Sequence, residues 1–305
     1  MKRKLVIIDT DPGHDDALAL MLALRSKKLR VLAVTTVAGN STIQNTTRNA
    51  RFVLKLLDAQ NIPIYSGASK PLCRKLVKAV VHGKNGLSGL KFKQKSNLTN
   101  NAAEKIISIV QQNAGVTIIT LGPLTNLAQA ILKKPSVMLK VKKFVIMGGA
   151  IKVPGNKSRV AEFNFFVDPE AADIVFKFPV AKMLIPLDAG NPIFLKNSDF
   201  RKIRGSLKKP ILQLMNSYMG NLYNYIKVKR ALIYDALAVY SLIKPSACRK
   251  KRYNIVIETK GEATRGMSVT ELRQFKKTLP NATVVEKISA NAFKQAFINS
   301  LSKRG

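Results

Sequence analysis

Five short apolar segments recur along the chain, and each is followed by a stretch in which apolar residues have helical spacing. The segments cover residues 5–8, 31–37, 116–121, 144–147 and 181–187. Because they are almost continuously apolar, they are typical of strands that helices cover on both faces. The alternation of strands and helices predicts an α/β fold with a mostly parallel central sheet flanked by helices, which is a Rossmann-like open sheet.

The C-terminal third of the chain is predicted to extend or cover the same sheet. Helical spacing occurs around residues 211–226, 235–242 and 290–301, and residues 253–258 have the pattern of a strand. No internal repeat and no linker rich in Pro, Gly or Ser divides the 305 residues. We therefore expect a single domain over residues 1–305.

The composition is unusual in its charge, because 52 Lys and Arg residues stand against 17 Asp and Glu residues and leave a formal net charge of +35. Such a field attracts anions, including phosphates and nucleic acids. The basic residues form short clusters spread along the chain, whereas a dedicated nucleic-acid interface concentrates them in one stripe or tail. A nucleic-acid partner is therefore not expected, and a nucleic-acid-binding protein is kept as an alternative.

The two cysteines and the lengths of the apolar segments bear on the location of the protein. Cys73 and Cys248 lie far apart, and neither belongs to a C-x-x-C pair, which argues against a disulfide framework or a structural zinc site. The first apolar segment is too short for a secretory signal, and no segment reaches the roughly 18 apolar residues of a membrane span. We expect a cytoplasmic protein without a membrane partner.

Four carboxylates follow the first apolar segment within eight residues: Asp9, Asp11, Asp15 and Asp16. In open α/β sheets, ligands bind at the carboxyl ends of the strands, so this cluster lies where a site is expected. Carboxylates at this density repel one another unless a cation neutralises them, and hard oxygen ligands suit Ca²⁺ or Mg²⁺. A helix N-terminus, a turn cap or a solvated surface would also explain single members of the cluster.

A phosphatase is a further alternative for the same residues. Haloacid-dehalogenase-type phosphatases also carry Asp-x-Asp after their first strand and use one Asp as a nucleophile beside Mg²⁺. In this chain Pro12 and Gly13 follow the Asp-x-Asp, and a second pair, Asp15 and Asp16, comes next. Both features are foreign to that phosphatase pattern.

The whole segment from Asp9 to Asp16, DTDPGHDD, resembles the N-terminal signature of the inosine-uridine-type nucleoside hydrolases. Six further blocks resemble that family in the same order: TTVAGN (35–40), HGKNGL (82–87), GPLTN (122–126), MGG (147–149), AEFN (161–164) and DPEAA (168–172). The resemblance spans more than half of the chain. It implies the nucleoside hydrolase fold, calcium-dependent hydrolysis of the N-glycosidic bond of ribonucleosides in salvage, and a homodimer or homotetramer.

The resemblance also implies a calcium site. Side chains of Asp11, Asp16 and Asp235 and the backbone carbonyl of Leu121 would hold one Ca²⁺, an ion that accepts six to eight oxygen ligands in flexible geometry. Water must attack the anomeric carbon as the base departs, and a carboxylate must accept its proton. Asp11 is the predicted base.

Ribose-binding positions are implied at five residues whose polar groups pair with hydroxyls: Asp15, Asn40, Asn156, Glu162 and Asn164. Met147 would line the sugar pocket or simply pack. Because Glu162 and Asn164 alternate with Phe163, an extended segment would direct both polar groups to one side and the ring to the core. Asn40 has a second interpretation as the cap of a helix that begins near residues 41–43. Asn126 is expected to stabilise its own turn and is left out of the site.

Candidates near the leaving base are His82, which lies in a Gly-rich block resembling a mobile loop of the family, and Tyr234. Many family members carry His immediately before the last metal-binding Asp, where this chain has Tyr234. A tyrosine has a reference pKa near 10 and is a weaker acid than histidine, so the substitution favours pyrimidine or broad substrates over purines. His14 is taken as incidental.

Tyr218 and Tyr225 complete the predicted site. They are seven residues apart on a helical stretch and therefore share one face. Two interpretations fit that spacing equally well, since the rings could line the base pocket or pack in the core.

Overall fold

The computed structural model describes residues 3–273 and 278–302. The strands are β1 (Lys4–Thr10), β2 (Leu29–Thr36), β3 (Ile64–Ser66), β4 (Thr117–Thr120), β5 (Lys143–Met147), β6 (Lys182–Ile185), β7 (Phe194–Leu195), β8 (Ala231–Leu232), β9 (Cys248–Tyr253), β10 (Ile255–Ile257), β11 (Ser268–Thr270) and β12 (Ala282–Ile288). The helices are α1 (His14–Leu24), α2 (Ile43–Leu56), α3 (Ala102–Gln112), α4 (Thr125–Lys133), α5 (Pro135–Met138), α6 (Phe163–Val167), α7 (Pro169–Lys177), α8 (Leu187–Gly190), α9 (Asn197–Arg201), α10 (Lys208–Ile226), α11 (Tyr234–Ile243) and α12 (Ala290–Ser302), and a 3₁₀ turn covers Pro245–Ala247.

Eight strands form the central sheet in the order β3-β2-β1-β4-β5-β6-β12-β9. All neighbouring pairs are parallel except β12 and β9, which run antiparallel. The five apolar segments are strands β1, β2, β4, β5 and β6, so the predicted α/β fold with a mostly parallel sheet is confirmed. The prediction of one domain over residues 1–305 stays a prediction.

Residues 253–258 do not form the single strand that their pattern predicted. Tyr253 ends β9, and β10 pairs with β11 in a separate antiparallel sheet of two strands. The side chain of Asn281 takes the place of a strand partner at Ile255, because its Oδ1 accepts from the Ile255 N–H at 2.8 Å and its Nδ2 donates to the Ile255 carbonyl at 2.8 Å. That side chain marks where the main sheet ends.

Apolar side chains cover both faces of the sheet. Along β1, Val6 and Ile8 belong to one buried cluster and Ile7 belongs to the other, as the alternation of a strand requires. Helix α1 is buried on all sides and packs against α11. This packing holds the first turns of the two helices together at the carboxyl ends of the strands.

The helices at the C-terminal end agree with the predicted stretches: α10, α11 and α12 overlap residues 211–226, 235–242 and 290–301. Among the described residues, no helix combines the length and the apolar character that crossing a bilayer requires.

Candidate functional site

The first turn of α1 positions two carboxylates directly after β1. Gly13 is the N-cap, and Asp15 and Asp16 lie in the first turn, where the helix dipole favours negative charge. Asp16 accepts from the Gly13 N–H at 3.0 Å and from the Thr10 hydroxyl at 2.5 Å. The Asp16 carboxylate is therefore fixed by its own strand-to-helix turn.

Asp235 joins this pair from a distant part of the chain. It lies in the first turn of α11, and the packing of α11 on α1 buries its side chain. One carboxylate oxygen from each of Asp15, Asp16 and Asp235 lies within 4.8 Å of the others. The fold thus brings together the acidic groups that the sequence separates by more than two hundred residues.

Burial and mutual repulsion raise the pKa of each carboxyl in this group. The pKa of Asp15 rises to about 8, first because of burial and then because of Asp16. The pKa of Asp235 lies well above its usual value through burial and the charges of Asp15, Asp16 and Asp11. Three buried carboxylates that repel one another form a site able to hold a metal ion, since a cation offsets both costs.

Asp11 lies beside this group in a tight setting. Its Oδ2 accepts from the Asn40 N–H at 2.6 Å, while its buried Oδ1 has no hydrogen-bond partner among the described residues. A Cβ atom at Gly39 would lie 2.1 Å from Oδ2, and one at Gly122 would lie 2.5 Å from Oδ1. The carboxylate therefore fits only because both neighbours lack a side chain. Its unpaired oxygen fits a cation or a water molecule.

Asn40 contacts the carboxylates and does not cap α2. The cap of that helix is Thr42, whose hydroxyl accepts from the Asn45 N–H. The Asn40 Nδ2 instead donates to Asp16 at 3.0 Å, in addition to the bond from its backbone to Asp11. The alternative interpretation of Asn40 as a helix cap is wrong.

Asn164 joins the ends of two neighbouring strands. Its Nδ2 donates to the carbonyl of Leu121, which follows β4, at 2.8 Å and to the carbonyl of Met147, which ends β5, at 3.3 Å. A carbonyl oxygen has two lone pairs, so the Leu121 oxygen keeps one for a further partner. The amide is fixed, because both of its Nδ2 partners can only accept.

Glu162 and Asn164 do not lie on an extended segment, since helix α6 begins at Phe163. Glu162 is its N-cap: the carboxylate accepts from the N–H groups of Asn164 at 2.9 Å, Phe165 at 3.2 Å and Gly149 at 3.0 Å. Burial nevertheless raises the pKa of Glu162 to about 7. The side chains of Glu162 and Asn164 lie on the same side of the segment because of this cap and not because of strand alternation. Phe163 is half-buried and lines a cavity, so its placement in the core was wrong.

A cavity of about 340 Å³ opens beside these residues at the carboxyl ends of the strands. Twelve of the predicted site residues line it: Asp15, Asn40, His82, Leu121, Met147, Asn156, Glu162, Asn164, Tyr218, Tyr225, Tyr234 and Asp235. The other two, Asp11 and Asp16, are fully buried and are not part of its lining. Asn156 is exposed, and its Oδ1 accepts from the Phe163 N–H at 2.8 Å.

Three rings stack beside the cavity, and two of them, His82 and Tyr218, line it. His14 stacks on Tyr218 with 4.9 Å between ring centroids, and His82 stacks on Tyr218 at 5.3 Å. The Nδ1 atoms of the two histidines are 3.2 Å apart, and the His82 Nε2 lies 3.9 Å from a carboxylate oxygen of Asp15. His14 is therefore not incidental, because it positions both other rings.

The histidines are uncharged near neutral pH. Burial lowers the pKa of His14 to about 4, and burial together with the charge of His14 places the pKa of His82 well below its usual value. The His14 backbone N–H donates to the His82 Nδ1 at 3.2 Å. His82 therefore lies at the cavity as a neutral ring and not as a cation.

Helix α10 fastens the loop that carries His82. The Asn221 Nδ2 donates to the carbonyl of Val81 at 3.0 Å, and the hydroxyls of Ser217 and Ser88 are 2.8 Å apart. The His14 Nε2 lies 2.9 Å from the Ser88 carbonyl and donates to it, since a carbonyl only accepts. The loop is thus held from two sides next to the cavity.

Tyr234 lines the cavity with its ring, but its hydroxyl is already engaged. The hydroxyl donates to the Asn191 Oδ1 at 2.9 Å, and burial raises its pKa. The ring packs directly against Gly190, where a Cβ atom would lie 2.3 Å from the ring. Both observations disfavour proton donation by Tyr234 and favour a role as a wall.

Some residues of the sequence motifs serve the scaffold. Asn126 does not stabilise its own turn, because its Nδ2 donates to Asp9 at 2.8 Å and to the Thr36 carbonyl at 3.0 Å, and its Oδ1 accepts from the Ala68 N–H at 2.9 Å. It joins the ends of β1 and β2 instead. Asp168 is the N-cap of α7.

Comparison with known proteins identifies the family of this fold and site. The sequence profile of the family described as inosine-uridine preferring nucleoside hydrolase matches residues 6–295. The chain belongs to this nucleoside hydrolase family. The pyrimidine-specific ribonucleoside hydrolase RihA of Salmonella paratyphi C (strain RKS4594) is 36% identical to the chain over 308 residues, which cover 98% of this chain and 97% of RihA. RihA of Shewanella woodyi (strain ATCC 51908 / MS32) is 38% identical over 305 residues, with 97% of each chain covered.

Solved structures agree with this assignment. A plant nucleoside hydrolase, the PpNRh1 enzyme, superposes with a TM-score of 0.91 at 27% identity and covers 99% of this nucleoside hydrolase and 100% of its own chain. The predicted enzyme class, an N-glycosidase that acts on ribonucleosides, is confirmed. The comparisons favour neither the nucleic-acid-binding nor the phosphatase alternative.

Sequence reasoning missed several residues of the cavity wall: Ala79, Val80, Val81, Lys157, Phe163, Leu222, Ile226 and Leu232. Helical spacing could have found Leu222 and Ile226, which lie four and eight residues after Tyr218 on the same face of α10. Val80 and Val81 precede His82 directly, so the loop assignment could have included them. No sequence signal distinguishes Leu232 from a core residue.

Proposed function

We propose that the chain hydrolyses the N-glycosidic bond of ribonucleosides in nucleoside salvage with Ca²⁺ as its cofactor, and that it prefers pyrimidine nucleosides. One observation carries the proposal: three carboxylate oxygens from two distant helices lie within 4.8 Å of one another at the wall of the cavity. A cavity of this size, with carboxylates and amides on one side and apolar residues on the other, fits a molecule as small as a nucleoside.

The residues that would hold the calcium ion are Asp11, Asp16, Asp235 and the carbonyl of Leu121. Asp15 is a further candidate, because its oxygen belongs to the group with Asp16 and Asp235, whereas Asp11 lies outside that group. Carboxylate and carbonyl oxygens are the ligands that Ca²⁺ prefers. When bound, the ion supplies positive charge that lowers the pKa of a water molecule and offsets the repulsion of the carboxylates.

Asp11 is the proposed general base. Its Oδ2 is fixed by the Asn40 N–H, so its orientation is set, and its unpaired Oδ1 is free to accept a proton from the attacking water. As the oxygen of water forms a bond to the anomeric carbon, the bond to the base nitrogen breaks and its electron pair leaves with the base. The carboxylates nearby stabilise the positive charge that develops on the sugar.

Ribose would lie against the polar side of the cavity. The Asn40 Nδ2 and the Asn164 Nδ2 are held by the protein, which leaves the amide oxygens of both residues as acceptors for sugar hydroxyls. Asp15, Asn156 and Glu162 line the same cavity. A site that pairs with each hydroxyl discriminates against a sugar that lacks one, so deoxyribonucleosides are expected to be poor substrates.

The base would lie toward His82, Tyr218 and Tyr225, with Met147 between the two ends of the nucleoside. His82 lines the cavity as a neutral ring, and in its Nε2–H tautomer it would donate a hydrogen bond to the departing base. The relatives named pyrimidine-specific, at 36% and 38% identity, support the same base preference. Tyr234 contributes a wall of the cavity and no proton.

A cytoplasmic location and a homo-oligomeric state also belong to the proposal. The free thiols of Cys73 and Cys248 fit a reducing compartment. The assembly is inferred from resemblance to the family alone.

Release of ribose tests the proposal. Uridine, cytidine, inosine and adenosine are incubated with the protein, with and without a calcium chelator, and free ribose is measured. We expect ribose from uridine and cytidine in preference to the purine nucleosides, and no ribose with chelator present. Chelator-resistant release would refute the calcium requirement, and inosine cleaved as fast as uridine would refute the base preference.

A further inference from the structure

A second concave surface lies at the opposite edge of the central sheet, where β5 and β6 begin and β9 ends. We call it the basic groove. It has a volume of about 570 Å³ and is lined by Lys143, Phe176, Lys177, Phe178, Pro179, Val180, Ala181, Lys182, Met183, Lys250, Arg252, Pro280, Asn281, Ala282 and Thr283. Five of these residues are cationic and none is acidic, so the groove differs from the cavity at the other edge in the sign of its charge.

Four of the cations have no acidic partner. Lys177 pairs with Asp173 at 2.6 Å on α7. For Lys143, Lys182, Lys250 and Arg252, no carboxylate in the described part of the chain lies within 4.0 Å of the charged nitrogens. Within the described residues, the groove thus holds four positive charges without a carboxylate partner.

The two residues of strand β9 that line the groove lie on the same face of the strand. Side chains alternate along a strand, so Arg249 and Lys251 point to one side and Lys250 and Arg252 to the other. On the first side, Arg249 lies 3.6 Å from Glu286, and the Lys251 ammonium lies over the Tyr253 ring at 5.4 Å. On the second side, both cations line the groove. One face of CRKKRY thus has an acidic and an aromatic partner, whereas the cations of the other face have no acidic partner among the described residues, and there the Lys250 Nζ donates to the Pro245 carbonyl at 3.0 Å.

The groove also contains a buried ammonium group. Lys182 is 4% exposed, and its Nζ donates to the carbonyls of Phe178 and Val180. An ammonium has three donors, so one remains for a ligand. Burial lowers the pKa of Lys182 to about 8, and burial together with the charges of Lys250 and Lys142 lowers the pKa of Lys143. An anion bound in the groove would offset the free-energy cost of burying these ammonium groups and would reduce the repulsion between them.

We propose that the basic groove binds a compact anion that carries one or two phosphate groups. Arginine presents a planar fork that fits phosphate oxygens, and Arg252 lies among four lysines on the groove wall. The volume lies within the range of about 300–1,000 Å³ that is usual for small-molecule sites. The site is separate from the nucleoside cavity, because the two lie at opposite ends of the parallel strands, and it goes beyond the proposed function.

Two larger occupants fit the groove less well. A second copy of the chain in a two-fold contact would place the same cations against one another, since the two surfaces of such an interface are identical. A nucleic acid is bound along an extended basic track, whereas these four cations converge in one concave surface. A compact phosphate-bearing anion satisfies the charge and the shape together.

Calorimetric titration of inorganic phosphate, ADP and a single-stranded oligonucleotide in 0.15 M NaCl tests the proposal, on the intact protein with no excess calcium. Lys250→Gln and Arg252→Gln remove groove charges, and Lys251→Gln is a matched control on the other face of β9. We expect Lys250→Gln and Arg252→Gln to weaken anion binding by about tenfold and Lys251→Gln by less than about twofold. The thermal midpoint of each variant checks folding.

The three probes separate the sources of the phosphate. Binding of inorganic phosphate that is lost in Lys250→Gln supports a free phosphate ligand, and binding of ADP alone with the same loss supports a phosphate ester. If all three variants bind the anion with equal affinity, the anion binds elsewhere, and the proposal is overturned. Absence of binding by phosphate and ADP, with or without oligonucleotide binding, would overturn it as well.

Discussion

At the carboxyl ends of the strands, oxygens of three aspartates lie within 4.8 Å of one another, whereas at the amino ends five cations and no acidic residue are found among the described residues that line a groove. Both clusters are assembled by the fold and not by adjacent sequence, since Asp235 reaches Asp16 and Lys143 approaches Lys250 only through packing. A net charge of +35 therefore says little about either site. The comparison teaches that each edge needs a ligand of opposite charge.

The two edges also differ in how the protein supports its charges. The carboxylates receive bonds from Thr10, Gly13 and Asn40, which orient them before any ligand is bound. Among the described residues of the basic groove, the ammonium groups of Lys182 and Lys250 contact carbonyls. The orientation of the carboxylates fits the proposed chemistry, which requires exact positions, and the less constrained cations fit the proposed binding of an anion.

The largest expected effect is at Asp11. Asp11→Asn keeps the shape of the side chain but removes the proton acceptor, so we expect kcat for uridine to fall by about 10³-fold. Asp173→Asn, a matched change on the surface of α7, should leave kcat unchanged. Steady-state ribose release measures both. An Asp11→Asn variant with near-normal turnover would show that the base is another residue.

Without calcium, the free energy of unfolding should depend on pH because of the buried carboxyl groups at the carboxyl ends of the strands. The pKa values of Asp15, about 8, and Glu162, about 7, are raised above their unfolded values near 4. Between these limits the folded protein binds more protons than the unfolded chain, so the stability of the calcium-free protein falls as the pH rises from about 4 to 8. Calcium at a hundred times its Kd adds about 2.7 kcal/mol.

Thermal midpoints between pH 5.5 and 8, with calcium and with chelator, measure this difference. We expect the gap between the two curves to widen as the pH rises, because the bound ion requires ionised carboxylates. Parallel curves would mean that these carboxyls do not bind calcium.

Tyr234→His probes the specificity of the cavity. Histidine restores a better acid beside the base, so we expect the ratio of inosine to uridine cleavage, in kcat/KM, to rise by about tenfold. Tyr234→Phe removes only the hydroxyl bonded to Asn191 and should leave the ratio unchanged. An unchanged ratio in Tyr234→His would remove the specificity argument.

The smallest effect is expected at the basic edge. Lys143→Met keeps the aliphatic stem and removes a half-buried charge that Lys250 and Lys142 oppose, so unfolding should cost about 0.5 kcal/mol more at low salt. Lys142→Met, at the exposed neighbour, should change less. Denaturant titration at two salt concentrations measures both variants. A destabilised Lys143→Met variant would show that the repulsion inferred for the groove is unimportant.

Five of the eight strands of the central sheet could be predicted from the sequence because helices cover the sheet on both faces. Strands β1, β2, β4, β5 and β6 each contain a short run of apolar residues. Strand β9 was hidden, since its sequence CRKKRY is basic and it becomes a strand only by pairing with β12. Periodicity cannot reveal a strand whose stability comes from its neighbour.

The site shows the same division. The acidic residues after β1 could be predicted as part of a site because clustered charges at the end of a buried strand are energetically costly without a ligand. Asp235 was predicted only from the resemblance to the family. The grouping of Asp15 with Asp16 and Asp235 was not predictable, since it depends on where α1 points its first turn. The role of His14 was missed for a similar reason: its partners, His82 and Ser88, come from a distant loop.

Gly39 and Gly122 show how closely the scaffold surrounds the Asp11 carboxylate. Even the methyl group of alanine at either position would push that carboxylate out of place. The turns after β2 and β4 therefore do not accept a side chain at these two positions. Adaptation to new nucleosides is therefore expected on the far wall of the cavity, on α10 and the His82 loop, while the proposed proton acceptor stays where the two glycines leave room for it.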